Sequence, residues 1–251
     1  MTTNVGQRRR TGARGRSLAL ALALAGVSGC GLFSGVNKPA PNQYWLKPIT
    51  DFQGEIQAVD WQLMVKPITA TMGLDTVKIA KRTSQYHIEY FEGAVWSEAA
   101  PRMVQMLAIE GFENSGRITA VAHEDSGVVA DYILQLDLLD FTANATSENT
   151  GFVNLDVTAR LIWLQDAEVV ASRRFTIQEY YGGTEEDHRR GRVTKSQQSI
   201  RFHFIVQAFS KVNEAFSAEL VEWTLAAGQE HAVRAAQAKA AADAAPPAPA
   251  T

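Results

Sequence analysis

The sequence predicts an α+β domain, a two-layer sandwich in which two amphipathic helices cover one face of a mainly antiparallel sheet. Three observations carry this. Several runs alternate apolar and polar residues with a period of two, the pattern of strands buried on one side only. Two longer segments repeat their apolar residues every three or four positions, the pattern of helices. A short polar turn, Gln165-Asp166-Ala167-Glu168, separates two of the alternating runs, as in a hairpin.

Taken in order, the chain opens on a polar stretch holding Arg8, Arg9, Arg10, Arg14 and Arg16. An apolar run from Leu18 to Val27 follows, broken only by Gly26, and the small residues Ser28 and Gly29 precede Cys30. Residues 1–29 thus have the positive, apolar, small layout of an export leader. As a helix the apolar run spans about 15 Å, half of a hydrocarbon core of about 30 Å, so it is too short for a lasting membrane span. Residues 30–43, rich in glycine and proline, read as a tether of at most about 45 Å.

A single domain is expected over 44–227. Trp61, Leu63 and Val65 form the first alternating run. A helix is predicted from Ser97 to Asn114, with Ser97 as N-cap, Pro101 in the first turn and Gly116 as its end. In the next strand Tyr132, Leu134, Leu136 and Leu138 share one face. Val153, Leu155, Val157, Ala159, Leu161 and Trp163 do so in the strand after it. Across the turn Val169, Ala171, Arg173, Phe175 and Ile177 keep the period, which completes the hairpin. The second helix is predicted over Lys195–Ala227, opened by a Thr194–Gln197 capping box and stopped by Gly228. Its apolar stripe is Ile205, Phe209, Val212, Phe216, Leu220 and Trp223. Residues 228–251 are rich in alanine and close on Pro246, Pro247 and Pro249, and read as a disordered tail.

Composition excludes several kinds of chemistry. Beyond the first 29 residues, 19 basic side chains face 27 acidic ones, a balance that argues against nucleic acid as partner. One cysteine allows no internal disulfide and no thiolate zinc cluster. No two of the five histidines stand four apart on a helix, and His-Glu-x-x-His is missing. His123-Glu124-Asp125 is followed by Ser126-Gly127 and reads as a solvated hairpin tip. The charged stretch 184–192 reads as a loop, with electrostatic docking of a partner as the alternative. The carboxylate pairs Asp137 with Asp140 and Glu185 with Glu186 have no cleft implied around them. With no Gly-x-Ser-x-Gly either, no catalytic residue, metal site or cofactor is expected.

Two resemblances sharpen this. Val27-Ser28-Gly29-Cys30 resembles a bacterial lipobox, which implies that Cys30 is acylated and begins the mature chain. Several acyl chains anchor a protein firmly, since each buried methylene contributes about 0.8 kcal/mol. Gly31, where aspartate retains such proteins at the inner membrane in enteric-type bacteria, implies the periplasmic face of the outer membrane. An ordinary leader with an incidental cysteine is the alternative.

The second resemblance spans 44–224. "YWLKP" at 44–48, "WQLMVKPI" at 61–68, "LDTVKIA" at 74–80, "YFEGAVWSEAAPRMVQMLAIEGFENSG" at 90–116, "ADYILQLDLLDFTA" at 130–143 and "VEWT" at 221–224 occur in the order seen in the ABC-type transport auxiliary lipoproteins. Pqi-type intermembrane transport lipoproteins are among these. Val95 departs from the family, which commonly has a basic residue before the tryptophan. The resemblance implies a non-enzymatic accessory of a lipid transport system. Its partners would be mammalian-cell-entry (MCE) proteins and an inner-membrane ABC transporter, with homo-oligomers expected. A carrier of a small hydrophobic ligand and a structural lipoprotein of another envelope complex are the alternatives.

Overall fold

A computed structural model of the chain describes residues 1–2, 39–52, 54, 56–127, 129–146, 150–182 and 196–244, without the side chains of 196–201. Residues 3–29 of the leader, Cys30, the charged stretch 184–192 and the capping-box side chains lie outside the described residues. Contacts divide the chain into two units, 1–40 and 41–251. All the elements below belong to the second.

The elements are β1 (Asn42–Tyr44), β2 (Gln62–Val65), β3 (Thr69–Ala70), β4 (Lys78–Ser84), β5 (His87–Trp96), α1 (Ala100–Ser115), β6 (Ala120–His123), β7 (Tyr132–Ala145), β8 (Gly151–Trp163), β9 (Glu168–Tyr181) and α2 (Ser196–Asp243). A mixed nine-stranded sheet with two helices results. It is not the mainly antiparallel sheet that the sequence leads one to expect. β7 is its spine. One edge pairs antiparallel with β8, which pairs antiparallel with β9 as the expected hairpin. Along the other edge three strands run parallel to β7 in succession: β2 against 132–134, β3 against 137–138 and β4 against 143–144. β6 joins β2 and β1 joins β5, both in parallel. β2 keeps the alternation expected of Leu63 and Val65, both fully buried, whereas β3 and β6 are four residues or shorter and show no period in the sequence.

The side chains of Val153, Leu155, Val157, Ala159 and Leu161 are fully buried, as the alternation predicts. On β7 the buried set changes phase. Tyr132, Leu134, Leu136 and Leu138 face the core, then Phe141 and Ala143 do. A bulge between Leu138 and Asp140 takes up the extra residue, and Leu139 is left 43% exposed. A second register shift, opposite Leu161 and Ile162, turns Val169 outward and packs Val170 inward instead.

α1 begins at Ala100 with Ala99 as N-cap, three residues after the expected start at Ser97. The Ser97 N–H donates to the Tyr44 carbonyl at 2.8 Å, which ties it to β1. Gly116 ends α1 in the left-handed conformation (φ 58°), as expected. α2 packs on the sheet through Phe209 against Trp96 and Phe141, and through Phe216 against Phe175. Arg173–Glu219 at 2.7 Å and Lys211–Glu179 at 2.8 Å fasten β9 to it.

Two boundaries move. β1 takes in Asn42 and Gln43, which the tether was expected to hold. Gly228 does not stop α2, which continues as helix to Asp243. The reason is packing. A Cβ at Gly228 would lie 2.4 Å from Trp61 Cζ2, so the glycine makes room for an indole rather than for a turn.

Candidate functional site

The residues that alternation places on one face meet at one end of the sheet. Leu63 pairs with Tyr132, and Tyr132 with Trp163, so β2, β7 and β8 bring Trp61, Tyr132 and Trp163 into a row. The continued part of α2 lays His231 over that row. Ring centroids are 4.7 Å apart for Trp61–Tyr132, 5.7 Å for Tyr132–His231 and 4.8 Å for Trp163–His231.

One polar cluster holds the row to the helix. The Tyr132 hydroxyl lies 3.2 Å from the Gly228 carbonyl and 2.8 Å from His231 Nδ1. It has a single proton. Both contacts are met together when that proton goes to the carbonyl and the His231 Nδ1–H donates to the tyrosine. Burial, with the Asp131 charge beside it, pushes the Tyr132 hydroxyl up to about 12. The Trp61 indole N–H is buried with no hydrogen-bond partner.

Beside these rings opens a cleft. One lobe, of about 210 Å³, is lined by Asp60, Trp61, Asp131, Tyr132, Trp163, His231, Ala232 and Ala235. A neighbouring lobe of about 490 Å³ shares Trp163, His231 and Ala235, and adds Glu168, Val170, Arg234 and Ala238. The helix wall consists largely of alanines, whose short side chains leave the space unfilled. Asp131 accepts the Gln62 N–H at 2.8 Å, which fixes the carboxylate at the mouth. Asp60 is exposed.

Other groups singled out in the sequence lie elsewhere. His123, Glu124 and Asp125 are exposed, with 124–126 in a 3-10 turn. The expected hairpin there is corrected: β6 and β7 both run parallel to β2, one on each side of it. Asp137 and Asp140 each have their own partners. Thr69 and Arg160 bond Asp137 and hold its carboxyl below the usual range, the Thr69 hydroxyl most of all. Asp140 pairs with Arg82 at 3.0 Å and Thr142 at 2.7 Å, yet burial raises its pKa. With Arg174–Asp156 they form a ladder of charge pairs on strands β4, β7, β8 and β9. Glu185 and Glu186 lie outside the described residues. Among the described residues no group of three or more His, Cys, Asp or Glu could hold a metal ion. No helix among them is long and apolar enough to cross a membrane.

Sequence reasoning missed the cleft because it ended α2 at Gly228. The available sign was spacing: Thr224, Gly228, His231 and Ala235 continue the helical repeat beyond the glycine.

Together these features define a class, a mixed-sheet α/β domain with an aromatic cleft under a long C-terminal helix. The family model described as ABC-type transport auxiliary lipoprotein component matches residues 44–189, and the chain belongs to that family. Among solved structures it is similar to protein XCC0632 from Xanthomonas campestris, assigned to the family model DUF330. The two are 26% identical with a TM-score of 0.64, over 76% of this chain and 98% of that one. It is also similar in fold to an uncharacterized protein at 10% identity and a TM-score of 0.50, over 73% of this chain and 97% of that one. No curated protein sequence matches it.

Proposed function

We propose that the chain is a membrane-tethered periplasmic lipoprotein, an accessory component of an MCE/ABC-type intermembrane phospholipid transport system. The family match over 44–189 carries this reading. Cys30 is the acylated residue, and the body sits at the periplasmic face of the outer membrane on the 30–43 tether. In this reading the protein is not an enzyme. The helices cover one face of the sheet in a two-layer arrangement, and the Arg–Asp ladder of the other face is left for MCE proteins, transporter subunits or further copies of the chain. A carrier of hydrophobic ligand is less well supported. Both lobes of the cleft carry charged residues, whereas such a carrier needs a closed apolar pocket.

In-cell photo-crosslinking from the sheet face tests the reading. Capture of an MCE protein or ABC permease, together with altered phospholipid exchange on deletion, is expected. Capture of neither, with exchange unchanged, overturns it. Mass spectrometry of the native protein tests the anchor, with an unmodified Cys30 as the contrary result.

A further inference from the structure

β9 is the long open edge of the sheet. β8 borders it on one side, and among the described residues no strand pairs with its other side. No other main-chain hydrogen bond among them involves 168–180. The strands at the opposite ends of the sheet, β1 and β6, have three and four residues, against fourteen in β9. At about 3.4 Å per residue, β9 offers an edge of roughly 45 Å. A bare edge of this kind pairs with another chain unless charge, proline or a bulge prevents it. β9 has no proline, and its register shift lies at the Val169 end. Its central charges are Arg173 and Arg174, both exposed.

Those charges discriminate between partners. A second copy running antiparallel meets β9 about a two-fold axis perpendicular to the sheet. Residues equally far from the axis then lie opposite each other on one face. With the axis at Arg173 or Arg174 an arginine faces itself, and like charges directly opposite are destabilising. With the axis at Phe175 or Ile177, Arg173 meets no carboxylate. The axis at Ala171 sets Arg174 against Glu168, but it pairs only 168–174 and runs through the register shift. With the axis at Thr176, Arg173 of each copy faces Glu179 of the other, Phe175 faces Ile177, and Arg174 faces Gln178.

The neighbouring charges on α2 fit this last register. Arg173 pairs with Glu219 at 2.7 Å, and Glu179 with Lys211 at 2.8 Å. Across the axis, Glu219 and Arg173 of one copy meet Glu179 and Lys211 of the other, a row of four charges of alternating sign, and the two-fold repeats it. Charge networks contribute where isolated surface pairs do not. We propose that two copies of the chain join by antiparallel pairing of β9 with β9 about an axis at Thr176, which carries the sheet through both. This self-complementarity favours a second copy over an unrelated strand. The pairing uses the edge and not the sheet face assigned to transport partners. Crosslinking to a transporter and crosslinking between copies therefore fail on separate results.

The experiment places a thiol on the axis. Thr176 is exposed, so Thr176→Cys leaves the fold intact. Opposite residues of an antiparallel pair have Cα atoms about 4.5–5.5 Å apart, within disulfide reach. The full chain, purified in uncharged maltoside detergent, is oxidised with copper phenanthroline, and linked peptides are identified by mass spectrometry. Thr176→Cys should link to itself at position 176. Ser172→Cys alone should not link, because its two copies lie about 27 Å apart in this register, each opposite position 180. Ser172→Cys mixed with Tyr180→Cys should link. Light scattering over a dilution series reads the Kd of the unlinked dimer. Glu179→Lys sets like charges opposite Arg173 and should raise it about tenfold. A monomeric chain with no link at position 176 overturns the proposal. So does a dimer that forms without that link, a Kd unchanged in Glu179→Lys, or linking of Ser172→Cys alone as readily as Thr176→Cys, the mark of random collision.

Discussion

Two side chains show how much local chemistry the sequence hides. Thr224 lies wholly buried on α2, and its hydroxyl has no hydrogen-bond partner; Ser217 and Asn213 share that condition. A buried hydroxyl left unpaired costs about 1–3 kcal/mol. Thr224→Val keeps the shape and removes the hydroxyl, so it should raise stability by about 1 kcal/mol in urea denaturation. Tyr132 gives a prediction in pH. Unfolded, it ionises at the ordinary 10, and folded at about 12. Between those values the unfolded chain has released a proton that the folded chain still binds, so stability is present below pH 10 and is lost as pH rises toward 12. Tyr132→Phe should cost stability at pH 8 by about 1 kcal/mol through its lost hydrogen bonds. It should also flatten the alkaline decline, read as urea midpoints across the alkaline range. Neither property was legible in the sequence, because both depend on what a distant element places beside the side chain.

At the scale of the element, strands with an alternating run announce themselves, as β2, β7, β8 and β9 do, and those without one do not. The β8–β9 hairpin follows from period-two alternation on both sides of one polar turn, and the structure has it. The bulge at Leu139 escapes the same reasoning. A run of apolar residues on both sides of position 139 looks like one continuous face until the partner strand fixes the register. Gly228 teaches the converse. Propensity reads a glycine after an apolar stripe as a stop, and tertiary packing overrides it. Glycine inside a helix is normally worse than alanine by about 1 kcal/mol, so Gly228→Ala would ordinarily stabilise. Here the added methyl meets Trp61 at 2.4 Å. The substitution should instead destabilise by about 1–3 kcal/mol, the usual cost of overpacking, and thermal unfolding measures its sign.

At the scale of the whole molecule, the turn of α2 just beyond Gly228 packs into the domain through His231, while 236–243 are helical but exposed. His231 is buried, and its Nδ1 lies 2.8 Å from the Tyr132 hydroxyl. A chain ended after Ala227 should therefore lose stability, by a fall of several degrees in Tm, and loosen around Trp61; unchanged Tm would mean that the extension only rests on the surface. The family relation was legible from five short motifs in order within 44–189, whereas the mixed topology was not, since parallel joins tie segments far apart in the chain. β7 makes most of those joins. It is bordered by β8 on one side and by β2, β3 and β4 on the other, so the early and late parts of the chain share one strand. Neither part then has a complete partner set without the other. Cutting the gene on either side of β7 would yield two fragments that cannot mature separately, and folding during synthesis must wait until the middle of the polypeptide has emerged.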